Sequence, residues 1–148
     1  MFNKDKKTAL VTGASSGMGK AIASRLLDDG YQVYVAARQV DRMDDLAKRG
    51  ARPVRMDMSN EREIAAAVDT ILAEAGGVDV LVNNAGFGLY GPIEDVSLAE
   101  ARYQFEVNLF GLGRSIRCSA AGITPPGTRS RGGRTASGWR WLPMASVS

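Results

Sequence analysis

Between Lys7 and Gly113, short β-rich apolar runs alternate with amphipathic stretches, and no other feature limits the fold of this chain so tightly. Ala9-Leu10-Val11 leads into the glycine-rich segment TGASSGMG at residues 12–19. Ile22, Ala23, Leu26 and Leu27 then recur at helical spacing and stop at Gly30, a C-terminal cap. Tyr31 to Ala37 is β-branched and aromatic, which predicts a second strand. Asp41 to Arg49 predicts a short helix closed by Gly50, and Pro53 to Met56 a third strand. Asn60 with Glu63 predicts a capping box before a helix through Ile64, Val68, Ile71 and Leu72. Val78 to Val82 is the fourth strand. Ser97 and Glu100 form a second capping box, opening a helix that carries Leu98, Ala101, Phe105, Val107 and Leu109. Strands separated by helices of this length require right-handed crossovers, so the fold class is α/β with a doubly wound parallel sheet covered on both faces.

Composition removes several function classes. With no histidine and one cysteine, Cys118, neither the usual zinc ligand sets nor a Ser-His-Asp or Cys-His mechanism can be assembled. A lone cysteine allows no intrachain disulfide and points to a reducing, cytoplasmic setting. No apolar run approaches the roughly 20 residues of a membrane span, and the N-terminal stretch reads as a strand rather than a signal peptide. The net charge of +3 is divided unevenly. Residues 114–148 hold Arg114, Arg117, Arg129, Arg131, Arg134 and Arg140 with no acid, so residues 1–113 carry a net −3. This second segment is rich in Gly, Pro, Ser, Thr and Arg without a period of either kind, which predicts an irregular tail after a first domain of residues 1–113.

Gly13, Gly17 and Gly19 stand at the first strand-to-helix corner. There glycine permits a tight turn, close approach of backbone to a diphosphate, and tight packing of helix on sheet. Amide groups at the helix start, aided by its dipole, then face an anion. A plain turn with a glycine-tolerant helix start is the alternative. A phosphate-loop NTPase fails on chemistry: Lys20 follows a glycine, but Ala14 stands five before Gly19, and Ala21 offers magnesium no hydroxyl. At the end of the second strand, Val35-Ala36-Ala37-Arg38 has no acid to take a ribose 2′-hydroxyl, and Arg38 can fork onto a 2′-phosphate. That favours NADP(H), with NAD(H) second and a solvated arginine as the bland alternative.

TGASSGMG resembles the short-chain dehydrogenase/reductase family, as do Val80-Leu81-Val82-Asn83-Asn84-Ala85-Gly86 and Phe105-Glu106-Val107-Asn108, in the same order. The resemblance covers residues 6 to about 113 and implies a partial Rossmann fold, truncated after the fourth β-α unit, in an oxidoreductase that interconverts an alcohol and a carbonyl. It assigns Gly13, Ser15, Ser16, Gly17, Met18 and Gly19 to the phosphate and adenosine side of the cofactor. Asp57, with Met58 beside it, is implied as the adenine-contacting acid; a surface aspartate capping the next helix is the alternative. Asn84, Ala85 and Gly86 are implied to lie along the cofactor, against a reading as strand-end turn residues. Asn108 is the family's helix asparagine, and the family's helix at Ser97 packs at a homo-oligomer interface.

The family's chemistry also needs a Ser, a Tyr, and a Lys four residues after the Tyr. Four residues on from Tyr31, Tyr34, Tyr90 and Tyr103 stand Val35, Arg38, Glu94 and Val107, and the last lysine is Lys48. These 148 residues therefore hold the cofactor-binding half without the catalytic pair. A change of reading frame shortly after Gly113 accounts for the tail; a natural short form or a fragment are the alternatives. An uncovered fourth strand and an exposed apolar helix face predict an aggregation-prone polypeptide. Two other functions compete: a non-catalytic dinucleotide-binding module, and a tail that grips nucleic acid with its arginines, Trp139 and Trp141. Out-of-frame translation of GC-rich DNA explains the same tail without binding.

Overall fold

A computed structural model describes residues 6–120. Four parallel strands, β1 (Thr8–Thr12), β2 (Gln32–Ala37), β3 (Arg52–Arg55) and β4 (Val80–Val82), lie in the order β3-β2-β1-β4. The chain winds outward from β1 to β3 and then returns to the other side of β1, so the order reverses between β1 and β4. Helices α1 (Gly17–Asp28), α2 (Asp44–Lys48) and α3 (Glu61–Ala75) make the crossovers, and α4 (Leu98–Phe105) and α5 (Leu112–Ala120) follow β4. The α/β doubly wound expectation is met.

Both sheet faces are covered, which explains why β1, β2 and β4 centre on continuous apolar runs rather than alternating ones, while the edge strand β3 carries Arg52 and Arg55. Leu10 pairs with Tyr34, and Val11 with Val35. Because strand side chains alternate, Leu10, Tyr34 and Ala36 join Ile64, Val68 and Ile71 of α3 on one face. Val11, Val33 and Val35 meet Ala23 of α1 and Leu46 of α2 on the other. Each fully buried Val, Leu or Ile contributes roughly 1.5–3 kcal/mol. Tyr34 buries its ring completely, and its hydroxyl donates to Glu74 at 2.9 Å. Burial, and then the adjacent Glu74 carboxylate, push the phenol up to about 12.

Several boundaries differ from the sequence pattern. Strand β3 ends at Arg55 rather than Met56 and is the sheet edge, where Pro53 is tolerated. Asn60 caps α3 by accepting from the Arg62 and Glu63 amides, but the predicted box is not closed. The Glu63 carboxylate instead accepts from the Asp57 amide at 3.1 Å. The box at Ser97 and Glu100 is complete. Past α4 the single expected helix widens into a π-helical turn, Glu106–Gly111, before α5. There Gly111 lies against the Met58 carbonyl so closely that a Cβ would collide with it.

The expected irregular tail also starts too early. Helix α5 runs through Ala120, with Ser115 and Ser119 buried and Arg114 paired with Glu106 and Glu61. The Arg129, Arg131, Arg134 and Arg140 cluster and both tryptophans lie outside the described residues. Among the described residues, β4 pairs only with β1. Leu98, Phe105, Leu109, Phe110 and Ile116 are exposed along the α4–α5 rod. No described helix is long and apolar enough to cross a membrane.

Candidate nucleotide-binding cleft

A cleft of about 350 Å³ opens beyond the carboxyl ends of the strands, at the point where their order reverses. Ligands of open α/β sheets bind at such a switch point. Gly13, Ser15, Ser16 and Met18 from the β1–α1 corner line it, with Arg38 after β2, Asp57 and Met58 after β3, and Asn84, Ala85 and Gly86 after β4. Three of the expected site residues stand outside the lining: Gly17, Gly19 and Asn108.

The glycines act in different ways. Gly13 has φ +67°, and a Cβ there would come within 2.7 Å of the Ala85 Cα. Its amide donates to the Ala36 carbonyl at 2.8 Å, drawing the corner under β2. Gly17 has φ +57° but nothing within reach of a Cβ, so what it needs is the left-handed backbone alone. Gly19 is buried beneath the corner, where a Cβ would collide with the Asn84 amide and the Gly13 carbonyl. Ser16 begins α1 without a side-chain cap, and the first turn holds no acid. The orphan amides and positive dipole end of this helix are therefore left to an anion.

Asn84 is a clamp as well as a wall. Its Nδ2 donates to the carbonyls of Thr12 at 3.3 Å and Gly13 at 3.2 Å, which binds the β4 loop to the corner. Thr12, absent from the sequence expectations, is buried, and its hydroxyl accepts from the Asn84 and Ala85 amides at 3.1 Å each. Its signal was a polar residue closing an otherwise apolar strand. Asn108 acts at one remove: its Oδ1 accepts from the Phe87 amide at 3.0 Å and its Nδ2 donates to the Phe87 carbonyl at 2.7 Å. The asparagine thereby fixes the loop that follows the Asn84–Gly86 wall.

Asp57 lines the cleft and does not cap α3. Its Oδ1 accepts from the Ser59 hydroxyl at 2.7 Å and the Ser59 amide at 2.9 Å. Burial works to raise its pKa, but the two Ser59 donors and the positive Arg38 and Arg55 outweigh it and hold the carboxyl below its ordinary range. A carboxylate with a lowered folded pKa adds stability above its unfolded pKa of about 3.9 and loses it as pH falls through the folded value. Urea titrations of wild type and Asp57→Asn are expected to differ by a steady amount between about pH 5 and 7 and to converge as pH falls below about 3.9 through the lowered folded value. A gap that stayed constant through that fall would mean that the carboxylate charge contributes nothing.

Tyr103 and Phe87 also border the cleft, and no motif marked either. Their rings lie 5.4 Å apart, and the Tyr103 hydroxyl accepts from Arg38 at 3.3 Å. Tyr103 stands one helical turn before Val107, which also lines the cleft, so the helix face could have suggested it. Among the described residues, no cluster of His, Cys, Asp and Glu could hold a metal ion.

The doubly wound sheet, the glycine corner and the cleft at the switch point define a nucleotide-binding α/β domain. The family model for short chain dehydrogenases matches residues 7–131, and the chain belongs to that family. The match extends past residue 113, where the sequence motifs end, into the arginine-rich stretch. A D-threitol dehydrogenase from Mycolicibacterium smegmatis is 36% identical over 127 residues, covering 82% of this chain and 48% of that protein. A 3-ketodihydrosphingosine reductase from Bacteroides thetaiotaomicron is 38% identical over 103 residues, 70% of this chain and 37% of its own length. The chain thus spans less than half of these relatives. The crystal structure of a short-chain dehydrogenase from Streptomyces avermitilis superposes with a TM-score of 0.76 at 37% identity, over 80% of this chain and 45% of that one. An alcohol dehydrogenase from the archaeon Thermococcus sibiricus, complexed with 5-hydroxy-NADP, gives 0.76 at 34% identity, over 80% and 53%.

Proposed function

We propose that this chain is the NADP(H)-binding half of a short-chain oxidoreductase acting on an alcohol or carbonyl, and that these 148 residues bind the nucleotide without turning it over. The observation that carries the reading is one cleft with an uncapped, acid-free helix start at one end and Arg38 at the other. The residues present fit the group. The Gly13 and Gly19 positions leave no room for a Cβ at the corner, and Gly13, Ser15, Ser16 and Met18 line the cleft beside the uncapped helix start. Ser15, Ser16 and the α1 amides hold the diphosphate; Asp57 and Met58 border the adenine; Ala85 and Gly86 leave room for ribose. Arg38, with no carboxylate beside it at the end of β2, receives the 2′-phosphate. Related structures contain NADP or NADPH, among them a metagenomic short-chain oxidoreductase and an actinorhodin polyketide ketoreductase.

When bound, the nicotinamide nucleotide supplies or accepts the hydride. The chain's own residues hold and orient it, and Asn108 positions the wall through Phe87 rather than meeting substrate. No tyrosine in these 148 residues is followed four residues later by lysine, so this stretch by itself supplies no Tyr-Lys pair to pass a proton to the substrate oxygen. We further propose a cytoplasmic protein that self-associates through its exposed α4–α5 face; nucleic acid is not among the proposed partners.

Fluorescence titration with NADPH and NADH tests the reading. Wild type is expected to prefer NADPH by tenfold to a hundredfold, the range of a few charge-assisted hydrogen bonds, and Arg38→Ala to erase the preference. Binding of neither nucleotide would overturn the proposal.

A further inference from the structure

We infer that Tyr103 is a specificity-determining residue that completes a 2′-phosphate site with Arg38, an inference that rests on the nucleotide reading above. Arg38 is exposed at the end of β2, where a long side chain ordinarily samples many rotamers. Here its Nη1 donates to the Tyr103 hydroxyl at 3.3 Å, across 65 residues of sequence, and both side chains line the cleft. Among the described residues, Arg38 makes no ion pair; Asp57 in the same cleft feels its charge from farther off, which leaves guanidinium donors for an incoming anion.

The tyrosine is itself held. Its ring packs against Phe87 at 5.4 Å and 40°, and the Phe87 backbone is pinned at both its amide and its carbonyl by Asn108. A continuous line of contacts therefore runs from the π-helical turn through Phe87 and Tyr103 to Arg38. The hydroxyl accepts from Arg38 through a lone pair, and among the described residues its own proton has no acceptor. A phosphate placed against the guanidinium can take that proton as a second donor, and charge-assisted bonds of this kind are short and strong. A 2′-hydroxyl offers no comparable charge, so Tyr103 strengthens NADP(H) and leaves NAD(H) unaffected.

The test is Tyr103→Phe in the full 148-residue chain, which keeps the ring on Phe87 and removes only the oxygen. NADPH affinity, read by nucleotide fluorescence, is expected to fall five- to tenfold, with NADH affinity within about twofold of wild type. In an Arg38→Ala background the same substitution is expected to lose most of its effect, as coupled neighbours do. A merely structural tyrosine would weaken both nucleotides equally, and that result overturns the inference, as does an unchanged NADPH to NADH ratio. If wild type binds neither nucleotide, the nucleotide reading itself fails, an outcome visible before any variant is made.

Discussion

Gly13→Ala is expected to destabilise the fold by about 3 kcal/mol or more and to abolish nucleotide binding. Two independent effects combine. A non-glycine residue in the left-handed region costs about 1–2 kcal/mol, and Gly13 sits at φ +67°. The new methyl would also come within 2.7 Å of the Ala85 Cα, a backbone atom that cannot turn aside as a flexible side chain can. Overpacking of this kind typically adds 1–3 kcal/mol. Relief requires the β1–α1 corner to move from β4, which breaks the Asn84 bonds to Thr12 and Gly13 and opens the cleft wall. Gly17→Ala supplies the contrast. It shares the positive φ, +57°, but meets nothing within 4 Å, so its loss should be about 1 kcal/mol. Urea unfolding of the two variants beside wild type checks the ordering; equal losses would mean that the contact with Ala85 relaxes without penalty.

Most of this architecture could be read from residue pattern because it depends on local chemistry. Parallel strands buried on both faces must be apolar throughout, and the runs at Ala9–Val11, Val33–Ala37 and Val80–Val82 are. The corner and Arg38 could be singled out because glycine spacing and a strand-end cation are local features, and both line the cleft, where Gly13 and Arg38 stand at the ends of β1 and β2. What escaped were relations between segments distant in sequence. Thr12 matters because β4 returns beside β1 and brings the Asn84 and Ala85 amides to its hydroxyl. Tyr103 matters because its hydroxyl meets Arg38 across 65 residues of sequence; helix spacing places it on the face of Val107 but does not report that pairing. The π-helical turn leaves no trace in a pattern of apolar spacing, yet it sets Asn108 against Phe87 and Gly111 against Met58. Composition misplaced the tail boundary for a related reason. Arg114 was counted among the basic residues of the irregular segment, but folding puts it beside Glu106 and Glu61, where its charge is matched.

Asn108→Ala should show how strongly the wall depends on that turn. The side chain satisfies both polar groups of one residue, accepting from the Phe87 amide and donating to its carbonyl. Truncation leaves both partly buried groups without these partners, and an expected loss of about 2–3 kcal/mol follows from two missing bonds and incomplete access of water. Gln104→Ala removes one bond to the same loop, from the Leu89 amide at 3.2 Å, and should lose about 1 kcal/mol. The two variants also differ at the cleft. Phe87 follows directly on Ala85 and Gly86 and supports the Tyr103 ring, so release of its backbone loosens the wall along the whole nucleotide. Asn108→Ala is therefore expected to weaken NADPH and NADH together, unlike Tyr103→Phe, which should act on NADPH alone. Equal stability losses for Gln104→Ala and Asn108→Ala would refute the two-bond account. Unaltered nucleotide binding in Asn108→Ala would show that the wall holds its shape without the turn behind it.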